Sequence, residues 1–174
     1  MNIFEIKTHS DYQEIKEHFL SLSSDDRYLR FGNTLTDNMV ISYIDKTQEQ
    51  NSVWFCVRYE EKIIGTIHVA IYDTSAEFGI TVSPECRGKG IGKLLFAYGY
   101  RLVIQRGIKQ IYLYCLSQNK AIQKIAKSFG IQVITCGTDA EASVTIHYPV
   151  PLKEMNKISK IITMTDPKIV DLVL

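Results

Sequence analysis

Residues 76–93, Ala76 to Lys93, read AEFGITVSPECRGKGIGK, and this stretch decides how the rest of the chain is arranged. It reads as a strand that halts at Ser83-Pro84, a short polar turn, and a helix entered through Gly88, Gly90 and Gly92. Glycine permits positive φ and close approach of backbone to a ligand. The first N–H groups of a helix lack intrahelical partners and point outward, with the positive end of the helix dipole behind them. Arg87, Lys89 and Lys93 add positive charge around the same turn, so the natural guest is a phosphate or pyrophosphate.

Two glycine loops of other kinds do not fit. A P-loop ends in Gly-Lys followed by Ser or Thr, and here Gly92-Lys93 is followed by Leu94, which lacks the magnesium-binding hydroxyl. The dinucleotide fingerprint needs glycine where Lys93 stands, and it belongs in the first βα unit, whereas two or three strands precede this loop. What remains is Arg-x-x-Gly-x-Gly, from Arg87 to Gly92, directly after a strand and opening a helix. It resembles the acyl-coenzyme A pyrophosphate loop of the GNAT superfamily of N-acetyltransferases.

The bulk properties are those of an ordinary soluble globular chain. At 174 residues, with 45% hydrophobic and 22% charged residues and a formal net charge of +1, it is long enough to bury a core as one domain. Lysine and arginine are spread along it, and no nucleic-acid partner is expected. The amino terminus is too polar for a signal peptide and no apolar run approaches the length of a membrane span, so the expectation is no membrane and a cytoplasmic location. Cys56, Cys86, Cys115 and Cys136 are far apart with no CxxC pair, which argues for reduced, mostly buried thiols and no metal.

From the start, Asn2 to Lys7 alternates as a strand. Ser10 or Asp11 is placed to cap a helix burying Tyr12, Ile15, Phe19 and Leu22, and helices are predicted over Ser24 to Phe31 and Asp37 to Ile44, before an exposed polar loop from Asp45 to Ser52. The period then changes to two. Val53 to Tyr59 and Lys62 to Tyr72 are strands joined by a two-residue turn at Glu60-Glu61, and Ala76 to Ser83 completes an antiparallel meander. A helix from Gly90 to Arg106 and a strand from Lys109 to Leu116 follow, a crossover that requires parallel pairing with the Ala76 strand. Asn119 to Phe129 is a further helix with Gly130 as its C-terminal cap, and Ile131 to Thr135 and Ala142 to Tyr148 are the closing strands. The tail from Pro149, with Ile158, Ile161, Ile162 and Met164 and the apolar ending Ile169 to Leu174, is left unplaced.

An α/β (α+β) chain with a mixed sheet of about seven strands flanked by helices, in the condensed order β-α-α-β-β-β-α-β-α-β-β, is similar to the GNAT fold, and the resemblance covers residues 1–148. Residues 149–174 form a C-terminal extension. Asn119 after the next strand and the pair Gly130-Ile131, where the family usually has Gly-Phe, support it. The segment Leu22 to Phe31, with Asp45 beyond, resembles the entry segment of a bacterial branch that includes the acetyltransferase domains of protein lysine acetyltransferases. The resemblance implies acetyl-CoA as cosubstrate, an amine acceptor, and leaves a homodimer open. It also implies that the main chain of Ile80, Thr81 and Val82 pairs with the pantetheine amides. Gly88, Lys89, Gly90, Ile91, Gly92 and Lys93 would hold the pyrophosphate with Arg87 at the mouth, and Asn119 would contact the cofactor's other side.

Acetyl transfer needs a neutral amine, and freeing a lysine-like amine of its proton at pH 7 costs about 4–5 kcal/mol. A general base is therefore expected. Glu77 is the candidate, on the strand before the loop, opposite in face to Phe78, Ile80 and Val82, where several GNAT enzymes carry a catalytic glutamate and where partial desolvation favours the protonated form. For the general acid, many members have a Tyr seven residues past the helix-starting Asn, and here that residue is Ala126. Tyr112, Tyr114 and Cys115 lie nearby, or solvent serves. His68 is a candidate relay, and Arg27, Tyr28 and Arg30 are candidates to border the acceptor site. The alternative from another class is a noncatalytic acyl-CoA binding or sensing domain, with a nucleotide-binding protein a distant third.

Overall fold

Local signals set the first element boundaries in the computed structural model, which describes residues 2–165. Strand β1 (Asn2–Glu5) runs into α1 (His9–Ser21), whose N-cap is Thr8 and not Ser10 or Asp11. Asp11 N–H donates to Thr8 Oγ1 at 3.2 Å while Thr8 N–H donates to the Asp11 carboxylate at 2.9 Å, a reciprocal pair that satisfies two otherwise orphaned donors. Helix α2 (Ser24–Phe31) is capped by Ser23 and closed by Gly32 at φ 70°. Helix α3 (Asp37–Gln48) is capped by Thr36 and continues past Ile44 through the stretch expected as loop. Thr47 explains the extension: it is buried, its hydroxyl donates to Ile44 O at 2.7 Å, and it accepts from Trp54 Nε1 at 3.0 Å. A polar side chain fully engaged in the core gives no hydrophobic signal in a sequence.

Strands β2 (Ser52–Tyr59) and β3 (Lys62–Tyr72) are joined through Glu60 and Glu61, both at positive φ (48° and 61°), the two-residue geometry whose twist matches that of the flanking strands. Strand β4 (Ser75–Val82) leads through one 3-10 turn (Pro84–Cys86) and the glycine loop into α4 (Ile91–Gln105). Then come β5 (Gln110–Leu116), α5 (Lys120–Ser128), β6 (Gln132–Cys136), β7 (Asp139–Thr145) and α6 (Leu152–Thr165). Three helices, not the two of the condensed order, therefore stand between β1 and β2, and a further helix follows β7. Among the described residues the strands make one sheet in the order β1-β2-β3-β4-β5-β7-β6, with β4–β5 parallel and every other pair antiparallel.

Two cores cover the two faces of this sheet. One packs α4 and α6 on residues such as Ile67, Val69, Phe78, Ile111 and Leu113. The other packs α1 and α3 on Trp54, Cys56 and Ile63. Helix α6 belongs to the first core through Ile158 and Ile162, and Tyr100 of α4 donates to the Glu154 carboxylate. Each fully buried isoleucine contributes about 1.5–3 kcal/mol. The apolar ending Ile169 to Leu174 lies outside the described residues.

Candidate active site

The parallel ladder between β4 and β5 lasts for three pairs, Ser75 with Gln110, Ala76 with Ile111 and Glu77 with Tyr112, and then stops. Both strands run on, β4 to Val82 and β5 to Leu116, with no ladder between them. From Phe78 onward, the side of β4 that faces β5 has no strand partner. An extended ligand carrying amides can fill that gap as an added strand would.

Below the gap lies a cavity of about 470 Å³, lined among others by Ile80, Thr81 and Val82 of β4, by Arg87, Gly88, Gly90, Ile91, Gly92 and Lys93 of the loop and α4, and by Asn119 and Ile122 of α5. Gly88 and Gly90 have φ of 76° and 84°, a region that costs a residue bearing Cβ about 1–2 kcal/mol. Gly90 is the N-cap of α4 and supplies no side-chain cap, so the first-turn amides of that helix are left for a ligand. A diphosphate at this helix end and an apolar arm along β4 fit the residues present.

Three details differ from the simplest expectation. Arg87 is already engaged: Nη2 pairs with the Asp26 carboxylate at 2.6 Å and Nε donates to Val82 O at 3.2 Å, tying the loop to α2. Lys89 is exposed on the loop and is not part of the cavity lining. Asn119 borders the cavity, but its Oδ1 accepts from Ile122 N–H at 3.3 Å as the N-cap of α5, and its Nδ2 donates to Leu29 O at 3.3 Å. It joins α5 to α2 and so fixes the width of the cavity.

A second cavity has a volume of about 710 Å³. Glu77, Tyr114, Cys115 and Glu141 line it with Arg30 and Tyr43, and Leu29 and Arg30 line both cavities. Glu77 is half-buried, and its carboxylate has no hydrogen bond or ion pair among the described residues. Tyr112 points its hydroxyl to Gln110 Oε1 at 2.9 Å, whereas Tyr114 is exposed over the cavity with its ring stacked on that of Tyr112. Burial, with the nearby carboxylates of Glu141 and Glu77, raises the Tyr114 hydroxyl above its usual range, and burial does the same for the Cys115 thiol. Both hold their protons at neutral pH. Ala126, at the usual tyrosine position, is wholly buried in the core.

Beneath the opening runs a chain of polar groups for which the sequence carried little sign. His18 Nδ1 meets Ile63 O at 3.1 Å, so that nitrogen bears the proton and Nε2 accepts from Thr81 Oγ1 at 2.8 Å. Thr66 Oγ1 then donates to Thr81 Oγ1 at 2.8 Å. Burial lowers the His18 pKa to about 4 and outweighs the favourable Ile63 bond, so the ring is neutral. His68 stacks on Trp54 and accepts from Tyr43 Oη at Nδ1, 2.9 Å away. Burial first and the Arg30 charge second push its pKa down to about 3, too low for a proton relay near neutrality. Arg27 is consumed in structure: it donates to Phe19 O and Leu20 O and pairs with Asp37. Of the three candidates on the entry segment, Arg30 is the one that reaches the cavities.

Residues 13–131 match the model of the Acetyltransferase (GNAT) family. The chain belongs to that family. Its fold is that of known GNAT structures. The GNAT domain of PAT from S. lividans superimposes with a TM-score of 0.70 at 15% identity, covering 82% of this chain and 89% of that one. A paia N-acetyltransferase from Thermoplasma acidophilum, in complex with coenzyme A, gives 0.61 at 19% identity, covering 83% and 99%. A putative acetyltransferase from Salmonella typhimurium, with its cofactor acetyl-CoA, gives 0.64 at 15% identity, covering 87% and 98%. Among the described residues no helix is long and apolar enough to cross a membrane, and no group of three or more His, Cys, Asp or Glu side chains could hold a metal ion.

Proposed function

We propose that this GNAT protein is an N-acetyltransferase that moves an acetyl group from acetyl-CoA to a primary amine, either a small molecule or a lysine side chain. The observation that carries the reading is the three-pair β4–β5 ladder, which opens onto a cavity floored by the uncapped start of α4. The fold neighbours that hold coenzyme A or acetyl-CoA support the choice of ligand. When bound, acetyl-CoA supplies an acyl group already activated as a thioester.

The chain's own residues then have two tasks, to hold that ligand and to deliver a neutral amine. Backbone amides from Gly88 to Lys93 take the diphosphate, helped by the charges of Lys93 and Arg87. Main-chain groups of Ile80, Thr81 and Val82 hold the pantetheine arm in the sheet opening, with Asn119 keeping the far wall in place. Glu77, unpaired in the second cavity, takes the proton from the incoming ammonium at its carboxylate, directly or through water. Tyr114 and Cys115, both protonated at neutral pH and both lining that cavity, are the candidates to return a proton to the leaving thiolate, with solvent the alternative.

Calorimetry with coenzyme A tests the first task, and thiol release from acetyl-CoA with a panel of amines tests the second. Absence of heat with the cofactor eliminates the reading. One observation favours a noncatalytic acyl-CoA sensor instead, the buried Ala126 where relatives usually have tyrosine. Tight cofactor binding without thiol release on any amine selects that alternative.

A further inference from the structure

One charge in the sheet opening has no counterpart. The guanidinium of Arg30 lies flat over Gly79 of β4, where any Cβ on residue 79 would collide with it. It leans on the rings of Phe31 and Tyr43, 5.0 and 5.8 Å from their centroids, and Nη2 donates to Tyr43 Oη at 3.0 Å. Its Nε is buried with no partner, and among the described residues no carboxylate pairs with it. The other half-buried arginines on this side of the sheet are treated differently: Arg27 pairs with Asp37 and Arg58 with Glu14. A guanidinium partly taken out of water without an anion is costly, and the planar fork of a residue that lines the cavity is shaped for a carboxylate.

Glu77 shares the second cavity with Arg30, yet the two do not pair. An unpaired cation on a wall that also carries the unpaired carboxylates of Glu77, Asp139 and Glu141 matches a ligand that bears both charges, with Glu77 the half-buried one of the three. The diphosphate of the donor is met at the start of α4 and the thioester end is neutral, so the missing anion belongs to the other substrate.

We propose that the acceptor is a zwitterionic amine of the amino-acid type, whose carboxylate is bound by Arg30 while its ammonium faces Glu77. This rests on the transferase reading above and adds the substrate class to it. A carboxylate could also arrive on the acyl chain of the donor, and the assay separates the two sources.

Thiol release from acetyl-CoA is followed with the common L-amino acids, with their carboxamides, and with the matching decarboxylated amines, and then with succinyl-CoA in place of acetyl-CoA. The expected result is turnover of one or more free amino acids, with kcat/KM at least tenfold lower for the corresponding amide and amine. Arg30→Gln raises the KM for that amino acid at least tenfold and removes the preference over the amide, a change much larger than any in the calorimetric affinity for coenzyme A, whose cavity Arg30 also borders. Arg30→Lys, which keeps the charge but not the fork, restores part of the preference, and Tyr43→Phe weakens it if Arg30→Gln fails to fold. Turnover of plain amines or lysine peptides without any amino acid overturns the proposal, as does equal use of amino acid and amide, or a preference for succinyl-CoA that depends on Arg30. No thiol release with any acceptor, at intact coenzyme A affinity, overturns it together with catalysis, whereas loss of coenzyme A binding by wild type removes the site reading itself.

Discussion

Two of the four histidines are buried neutral, and this makes stability acid-sensitive in a range where few groups titrate. The His18 ring has a folded pKa of about 4 and His68 of about 3, both because burial penalises the charged form. Unfolded, each titrates near ~6.5. A histidine held below its unfolded value contributes stability that is complete above pH ~6.5 and is lost as pH falls toward the folded value, because the unfolded chain takes up protons that the folded one refuses. Between pH 7.5 and 5 the loss is about 2 kcal/mol for each ring, or about 4 kcal/mol together, against a total of ~5–15 kcal/mol for an ordinary domain. Trp54, the single tryptophan, stacks on His68 with ring centroids 4.4 Å apart and reports unfolding by fluorescence. Urea titrations at the two pH values should give that difference, and His18→Gln should show only about half of it, whatever its stability at pH 7.5. A stability that changes by less than ~1 kcal/mol over this range, or an imidazole proton resonance of His18 that titrates above pH 6, would refute the assignment of a neutral, hydrogen-bonded ring.

Four further outcomes are expected. Glu77→Gln lowers turnover at least tenfold with little change in the dissociation constant of coenzyme A, and full activity would remove Glu77 from the proton path. Gly90→Ala, at φ 84°, costs about 1–2 kcal/mol and weakens coenzyme A binding, measured by urea unfolding and calorimetry. Ile162→Ala on α6 costs about 2–5 kcal/mol by the cavity it leaves, yet coenzyme A affinity in the folded protein holds, since α6 lines neither cavity. Asp26→Asn tightens coenzyme A binding a few-fold in a calorimetric titration, because it releases Arg87 and removes a negative charge from the cavity rim; weaker binding would show that the pair holds the loop in its binding shape.

Regular elements were legible wherever a single periodicity ran uninterrupted. The Glu60-Glu61 turn, the crossover from β4 to β5, and the helix that opens at the glycine loop all stand where the pattern of apolar residues put them. The end of α3 was not legible, because Thr47 is held by one hydrogen bond from Trp54 and one to Ile44 O and looks like a loop residue in a hydropathy pattern. The place of β7 between β5 and β6 was equally hidden, since a hairpin that adds to a sheet can do so with either strand inward. Within the site, the glycines and the β4 strand could be read because their spacing is the signal. Arg87 could be found but not its partner Asp26, 61 residues away in sequence, and the His18–Thr81–Thr66 chain joins three elements that share no motif.

The same distinction explains why α2 matters more than its composition suggests. It has eight residues and none is fully buried, so apolar packing alone does not fix it. Polar ties help to hold it: Arg27 to Phe19 O, Leu20 O and Asp37, Leu29 O to Asn119, and Asp26 to Arg87 of the glycine loop. Asp26 and Arg30 are four residues apart, on neighbouring turns of one helix face, and one meets the loop while the other lies over Gly79. A diphosphate bound at the start of α4, as proposed above, would compete with Asp26 for Arg87 and so act on the helix that carries Arg30. Phe31 adds an apolar anchor at the end of the helix, packed on the rings of Phe19 and Tyr43. Leu29 and Arg30 line both cavities, so this one helix is the wall that the donor and acceptor sites proposed above would share.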